Sequence, residues 1–542
     1  MTETAGSKSG LKIIGLAALF VSLALAGFAI LSAEPEVPSQ ARPQLAPNAS
    51  DHELGAAAFL GAGFGGISQA ALETNAIPWK LAAAALVLEE QSRDPSAKAD
   101  LTTLQAILAR FGFLFPTRLE GVPKGISVDW QGKPLGMTHG TIAPIGGTMV
   151  EVANLGCAAC HAGVAYDRAG SPDPTLAMVG MPNTSLDLES YTQAIYVAMR
   201  NHANSDALIP TAQSLFPEMG WRERQSLRWI VLPLARQRLE EMADVDQPLP
   251  FSNGLPGATN GVAALKLQLQ TPLLGDGLND RGFVSIPELA LRDRRNRLLA
   301  DGAYAVPSGK TDAESLAAIT SFFTVPSMGV HPDEARSHSR EANAIFKWLA
   351  NYRPAKFPGP MDLPEARKGW TIFEDNCASC HGSFEWTGDR PNLVSFPNWI
   401  GDVGTDPLRS EAFDDQLAQA VRTTSYALLI DVKIGEGYAA PPLAGLWASA
   451  PYLHNGSVQS LAALLDPSRR LPRFMVGGHA LDWASVGLRV DGEGRYLPGH
   501  VAFSTPQWVD TSMPGLSNSG HEFGSELSAS DRAALIEFLK LL

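Results

Sequence analysis

Two short stretches hold all four cysteines of the chain, Cys157-Ala158-Ala159-Cys160-His161 and Cys377-Ala378-Ser379-Cys380-His381. In Cys-x-x-Cys-His the two thiols stand about one helical turn apart, so both can form thioethers to the vinyl groups of one porphyrin while the next imidazole meets the iron. Three neighbouring side chains thereby fix ring, metal and orientation. The same cysteine spacing serves thiol–disulfide exchange and zinc binding, but neither chemistry calls for a histidine directly after each pair. The motifs predict two covalently bound haem c groups, one on Cys157, Cys160 and His161 and one on Cys377, Cys380 and His381. No cysteine is left over for a disulfide.

What each haem does depends on the sixth iron ligand. A second protein ligand makes an electron-transfer haem, and an open position makes a catalytic one. For the second haem the downstream candidates are His454, Met475, His479, His500, Met513 and His521. His521 lies in Ser517-Asn518-Ser519-Gly520-His521-Glu522-Phe523-Gly524, a loop just before the final helix and able to reach a haem packed on it. It is favoured over Met513, in Thr511-Ser512-Met513-Pro514, and over the bland alternative of a surface loop histidine.

The elements that must position these residues are chiefly helices. A helix over 364–376 delivers Cys377. The pattern Ser528-Ala529-Ser530-Asp531 reads as a cap leading into a closing helix over 532–542, with Leu535, Ile536 and Leu539 on one side. A haem-bearing helix with a closing C-terminal helix is the plan of a small all-α cytochrome. The first motif is followed by loop-rich sequence, by helices over 188–201 and 221–243, by a Gly/Pro-rich break at 247–260 and by a helix over 332–351. Proline-dense sequence at 353–360 cannot continue a helix and marks a hinge. Helical patches at 80–91 and 101–110 precede the first motif. The expectation is a mainly α fold with long loops: an N-terminal signal or anchor (1–33), a linker (34–50), an N-terminal helical region (51–150), a first haem module (151–352) and a second, cytochrome c-like module (361–542). The two motifs suggest duplication, although no repeat is evident outside them.

The chain has 542 residues, 45% of them apolar and 18% charged, a globular composition able to bury a real core. Its net charge of −14 argues against a nucleic-acid partner, because phosphates would be repelled. An acidic surface could steer a basic redox protein or serve only solubility. Lys8 and Lys12 precede an unbroken apolar run over 13–31, then Ala33-Glu34-Pro35-Glu36. That length favours a retained anchor over a cleaved signal, with everything after it on the periplasmic or extracellular side of the inner membrane.

The segment Pro441-Pro442-Leu443-Ala444-Gly445-Leu446-Trp447-Ala448-Ser449-Ala450-Pro451-Tyr452-Leu453-His454-Asn455-Gly456-Ser457 resembles the di-haem cytochrome c peroxidase superfamily. Together with the Ser-Gly-His-Glu-Phe-Gly loop and Asn154-Leu155-Gly156-Cys157-Ala158-Ala159-Cys160-His161-Ala162-Gly163, it is most similar to the rubber-oxygenase-type branch. The resemblance implies a haem-dependent peroxidase or dioxygenase-type enzyme. In it the His161 haem is the catalytic one that meets dioxygen or peroxide, and the second haem, capped by His521, handles electrons. It places His454 near the second haem, holding a propionate or the loop; for Trp447 and Tyr452 core packing is favoured over a radical relay. It also suggests an apolar organic substrate and a separate electron donor or acceptor. The sequence departs from that branch between 273 and 360, where Phe322 and Phe323 could wall a pocket over the first haem and Met328 or His331 could instead close its sixth site. Against the enzyme reading stand a pure electron carrier with both irons capped and, behind it, a haem-based sensor.

Overall fold

A computed structural model describes residues 43–44, 48–60, 77–124, 126–128, 133–142, 150–242, 246–274, 280–305, 339–388, 390–428 and 431–542. The apolar run at 13–31 and residues 320–331, with Phe322, Phe323, Met328 and His331, lie outside them. Among the described residues no helix is long and apolar enough to cross a membrane.

Two helix pairs organise the chain. Helix α1 (Asp51–Phe59) opens with a capping box between Ser50 and Glu53 and packs across α2 (Ser339–Asn351). Helix α3 (Leu363–Asn376), capped by Asp362, packs across α4 (Ala529–Leu539), capped by Ser528. The crossings match residue for residue. A Cβ added at Gly55 would lie 2.0 Å from the Ala344 carbonyl oxygen, and one at Gly369 would lie 2.0 Å from that of Ala534. Only glycine lets the backbones approach so closely. One turn along each helix, Phe59 meets Trp348 with ring centroids 4.8 Å apart, and Phe373 meets Phe538 at 5.2 Å, both tilted by 52°. Both pairs contribute to one continuous apolar core.

The two halves differ in what lies between helix and haem motif. Phe373 is followed almost at once by Cys377, whereas a long insertion separates Phe59 from Cys157. The opening helix of the first pair thus belongs to 51–150, a region that the sequence reading set apart from the first haem module. The insertion supplies α-helices Trp79–Arg93 and Leu101–Arg110, which join Leu188–His202 and Leu208–Leu215 around a second core holding Trp79, Leu108, Tyr191 and Leu227. Buried Lys80 ties this unit together, donating to Glu223 at 2.6 Å and standing 3.6 Å from Glu151, which also takes Lys133 at 2.7 Å.

Much of the chain read as loop is short ladder. Met137–Ile142 pairs antiparallel with Val150–Leu155 and leads into Cys157, and Ala162–Tyr166 pairs with Pro172–Val179 behind His161. Ser383–Thr387 and Arg390–Ser395 form a hairpin behind His381, and Arg473–Val476 pairs with Gln507–Asp510. The described residues are therefore more mixed in helix and strand than a mainly α plan.

Candidate functional site

Both Cys-x-x-Cys-His stretches form one tight helical turn. His161 N–H donates to the Cys157 carbonyl at 2.9 Å and His381 N–H to the Cys377 carbonyl at 3.0 Å. The four cysteines form no disulfide with one another. Each imidazole is aimed by a proline carbonyl: the ring N–H at Nδ1 of His161 donates to Pro287 O at 3.0 Å, and that of His381 to Pro441 O at 2.9 Å. Such a second partner fixes ring and tautomer and leaves Nε2 for a metal. Desolvation holds His161 down to about 3, with help from the Arg292 charge, and lowers His381 as well, so both rings stay in the neutral, ligating form.

The two proline loops are copies of one another. Pro287-Glu288-Leu289-Ala290 answers to Pro441-Pro442-Leu443-Ala444, and every later match keeps the same offset. Leu291 and Gly445 are both left-handed and each opens a 3-10 turn, Arg292–Arg294 and Leu446–Ala448. Leu299 and Leu453, and then Gly302 and Gly456, are again left-handed. Leu298 pairs with Tyr304 as Tyr452 pairs with Val458. Asp301 Oδ1 accepts from Ala303 N–H at 3.0 Å, and Asn455 Oδ1 from Ser457 N–H at 3.2 Å. The signal was present in sequence as Pro-x-Leu-Ala followed by Leu-x-Asp/Asn-Gly, but with so few identities it does not stand out without the backbone. The two loops also touch, since a Cβ at Gly445 would lie 2.7 Å from Glu288 Oε2. Burial raises Glu288 to about 7, against the hydrogen bonds it accepts from Ala290, Tyr352 and Leu289.

Opposite His381 stands His521, ring centroids 6.2 Å apart. Two imidazoles bound to one metal through nitrogens at about 2 Å place their ring centres roughly 6 Å apart, so the gap admits one metal atom. His521 is itself left-handed at φ 48°, and its N–H donates to Val403 O at 2.8 Å. A Cβ on the preceding Gly520 would lie 2.3 Å from the Gly404 carbonyl carbon, so the turn that aims His521 requires glycine there. His521 Nδ1 is buried without a protein partner, and desolvation, then the neighbouring His381, hold the ring down to about 4. The loop is clamped from the copied segment: Asn455 Nδ2 donates to Gly515 O and Ser517 O, both at 3.1 Å, and Ser457 Oγ donates to Ser517 O at 2.9 Å. Arg470 adds a bond to Asn518 O.

The other candidates are engaged elsewhere. His454 stacks on Tyr438 at 4.2 Å, with its Nε2 3.1 Å from the phenol oxygen, while its carbonyl accepts from Ser285 N–H. The contacts to the loop are therefore made by its neighbours Asn455 and Ser457. His479 faces Thr184, His500 meets Gly478 O, and Met513 sits 39% exposed in a turn. Trp447 donates to Ala355 O and packs with Tyr166, Phe357 and Trp483, and Tyr452 donates to Leu446 O.

The segment that carries Pro441, His454, Asn455 and Ser457 matches a family described as RoxA-like, cytochrome c-like, over residues 437–475. Residues 437–475 are a RoxA-like, cytochrome c-like segment. Two curated proteins of Sinorhizobium fredii are also similar, both uncharacterised: y4iJ, 28% identical over 35% of this chain and 41% of its own length, and y4iM, 29% identical over 33% and 45%. The aligned part is less than half the length of either relative. A cytochrome c-like domain carries covalent haem c, and the residues around the RoxA-like segment fit that group. Paired thiols, a carbonyl-oriented imidazole and a second imidazole across a one-metal gap are what a six-coordinate haem c asks for.

Proposed function

We propose that the chain is an exported di-haem c-type cytochrome oxidoreductase. Cys157, Cys160 and His161 hold one haem c, and Cys377, Cys380, His381 and His521 hold the other. A bound haem supplies one-electron chemistry and, where its sixth position is free, a place for dioxygen or peroxide. The carrying observation is the asymmetry between the two turns: among the described residues, His381 and His521 are the one histidine pair whose rings face each other. His161 is oriented by Pro287 and kept neutral, which suits the haem that meets dioxygen or peroxide. His521 closes the other, which suits electron storage and supply. The apolar organic substrate and the small redox protein that completes the circuit belong to the same proposal, as does a location outside the cytoplasm.

Haem content and reactivity test this together. Replacing Cys157 and Cys160 with Ala should remove one of two haems and all reaction with peroxide or dioxygen. Replacing Cys377 and Cys380 should remove the other haem and leave oxidant binding in place. Oxidant binding that survives the first change and is lost with the second would reverse the assignment.

A second reading has its own support. His331 lies outside the described residues, but in sequence it stands as far before Ala344 as His521 stands before Ala534, and Ala344 and Ala534 are the matched crossing points of the two helix pairs. If the repeat extends that far, His331 caps the first iron and the chain is an electron carrier at rest. His331→Ala separates the readings: a spectrum unchanged by the substitution leaves the first iron open, and conversion of one haem from low to high spin closes it.

A further inference from the structure

The helical unit around the second core carries a face that no haem chemistry uses. Residues 221–241 run as one continuous helix with a π turn at Leu227–Val231, where Leu232 N–H bonds Leu227 O. Its inner side is fixed by Glu223, which is buried on Lys80, and by Leu227, Val231 and Leu232. Its outer side presents Trp221 at 54%, Trp229 at 70% and Leu234 at 59% exposure. In an unbroken α-helix, Leu234 would stand about 140° around from Trp229. The wider π turn rotates it back toward Trp229, and Trp229 Nε1 donates one turn back to Gln225 at 3.0 Å.

The charge on this helix runs against the rest of the molecule. It carries Arg222, Arg224, Arg228, Arg236 and Arg238 against Glu223, which is neutralised by Lys80, Glu241, which is paired with Arg238, and Glu240, five positive charges to three negative. The whole chain has a net charge of −14. An anionic surface is repelled by the net charge of the chain and attracted locally by a face with a positive surplus.

We infer that the 221–241 face docks on an anionic lipid bilayer, with Trp221, Trp229 and Leu234 at headgroup depth and Arg228 among the phosphates. Arginine beside tryptophan and leucine on one helix face is the composition of an interfacial helix, and each basic residue near an anionic leaflet adds to the attraction. A retained anchor would also keep the globule close to the bilayer. Pro43 is held to the globule by pairing with Val128, and the stretch from Leu31 to Pro43, even fully extended, reaches roughly 40 Å. This last step rests on the reading of 13–31 as a retained anchor.

The test is hydroxyl-radical footprinting of the full holoprotein in nanodiscs, read by mass spectrometry. Discs of phosphatidylcholine are compared with discs containing phosphatidylglycerol. Trp221 and Trp229 should be oxidised several-fold more slowly in the anionic discs, with Val501, 86% exposed, as an unchanged internal reference. Arg228→Glu should abolish that protection, with the haem spectrum unaltered. Equal oxidation of Trp229 in both discs, or protection that survives Arg228→Glu, would overturn the inference. If the chain does not stay with the discs at all, the anchor reading fails. The same comparison with added vesicles of the two compositions then decides the docking face alone, on the same outcomes.

Discussion

The imidazole of His521 faces that of His381 with ring centroids 6.2 Å apart, and the two come from opposite ends of the second haem segment. The His381 ring is held from behind by Pro441 O, whereas His521 is fixed through its backbone N–H on Val403 O. Replacing His521 with Ala should therefore convert one haem from low to high spin without loss of haem content. Optical and EPR spectra of the oxidised protein check this; an unchanged spectrum would return the ligand to another residue.

Asn455 is predicted to act on His521 at a distance. Asn455→Ala removes the donor to two carbonyls of the loop, leaving the one at buried Gly515 without that partner and the one at Ser517 with the Ser457 hydroxyl alone. The expected cost is about 2 kcal/mol of stability, with a high-spin fraction appearing at the second haem as the loop loosens. Chemical denaturation and the EPR spectrum measure both. A loss of stability with no change in spin state would confine Asn455 to packing.

The helix crossings predict module-specific damage. Gly369→Ala forces a Cβ into the Ala534 carbonyl and Gly55→Ala into that of Ala344, each costing about 2 kcal/mol or more. Because the residues belong to different helix pairs, Gly369→Ala should perturb the low-spin His381/His521 signal and Gly55→Ala should spare it. Thermal melts followed at haem absorption bands and by circular dichroism report the two.

Those glycines also show why part of the fold was legible in sequence and part was not. The cysteines, their histidines and the capped closing helix announce themselves through residue types that do little else, and His521 stood out by its place just before that helix. The first helix pair was hidden because its opening helix, around Gly55 and Phe59, lies far upstream of Cys157, beyond a large insertion, whereas Phe373 nearly abuts Cys377. The proline acceptors, Pro287 and Pro441, were missed for a different reason. A backbone carbonyl can come from any residue, so their role is carried by left-handed turns at Leu291 and Gly445 that side-chain patterns do not encode. The roles of Asn455 and Ser457 depend on a contact to Ser517 that only tertiary structure supplies.

Glu288 gives a pH dependence of definite sign. Burial between the two proline loops raises its carboxyl from 4.5 to about 7. The folded state therefore holds a proton that the unfolded state releases, and its contribution to stability is complete below about pH 4.5 and is lost as pH rises toward 7. The loss should be on the order of 3 kcal/mol across that window. Glu288→Gln keeps the shape and the acceptor for Leu289 and Ala290 while removing the titration, so its stability should vary less between pH 4.5 and 7 in denaturant titrations. The same slope in both proteins would mean that Glu288 is ionised in the fold.

Under the proposed function two covalent haems share one chain, with only the second capped by protein. Carbon monoxide binding to the fully reduced, purified protein tests it most directly. One carbon monoxide per two haems is predicted, rising to two in His521→Ala. Binding at neither haem of the unaltered protein, or at both, would contradict the account.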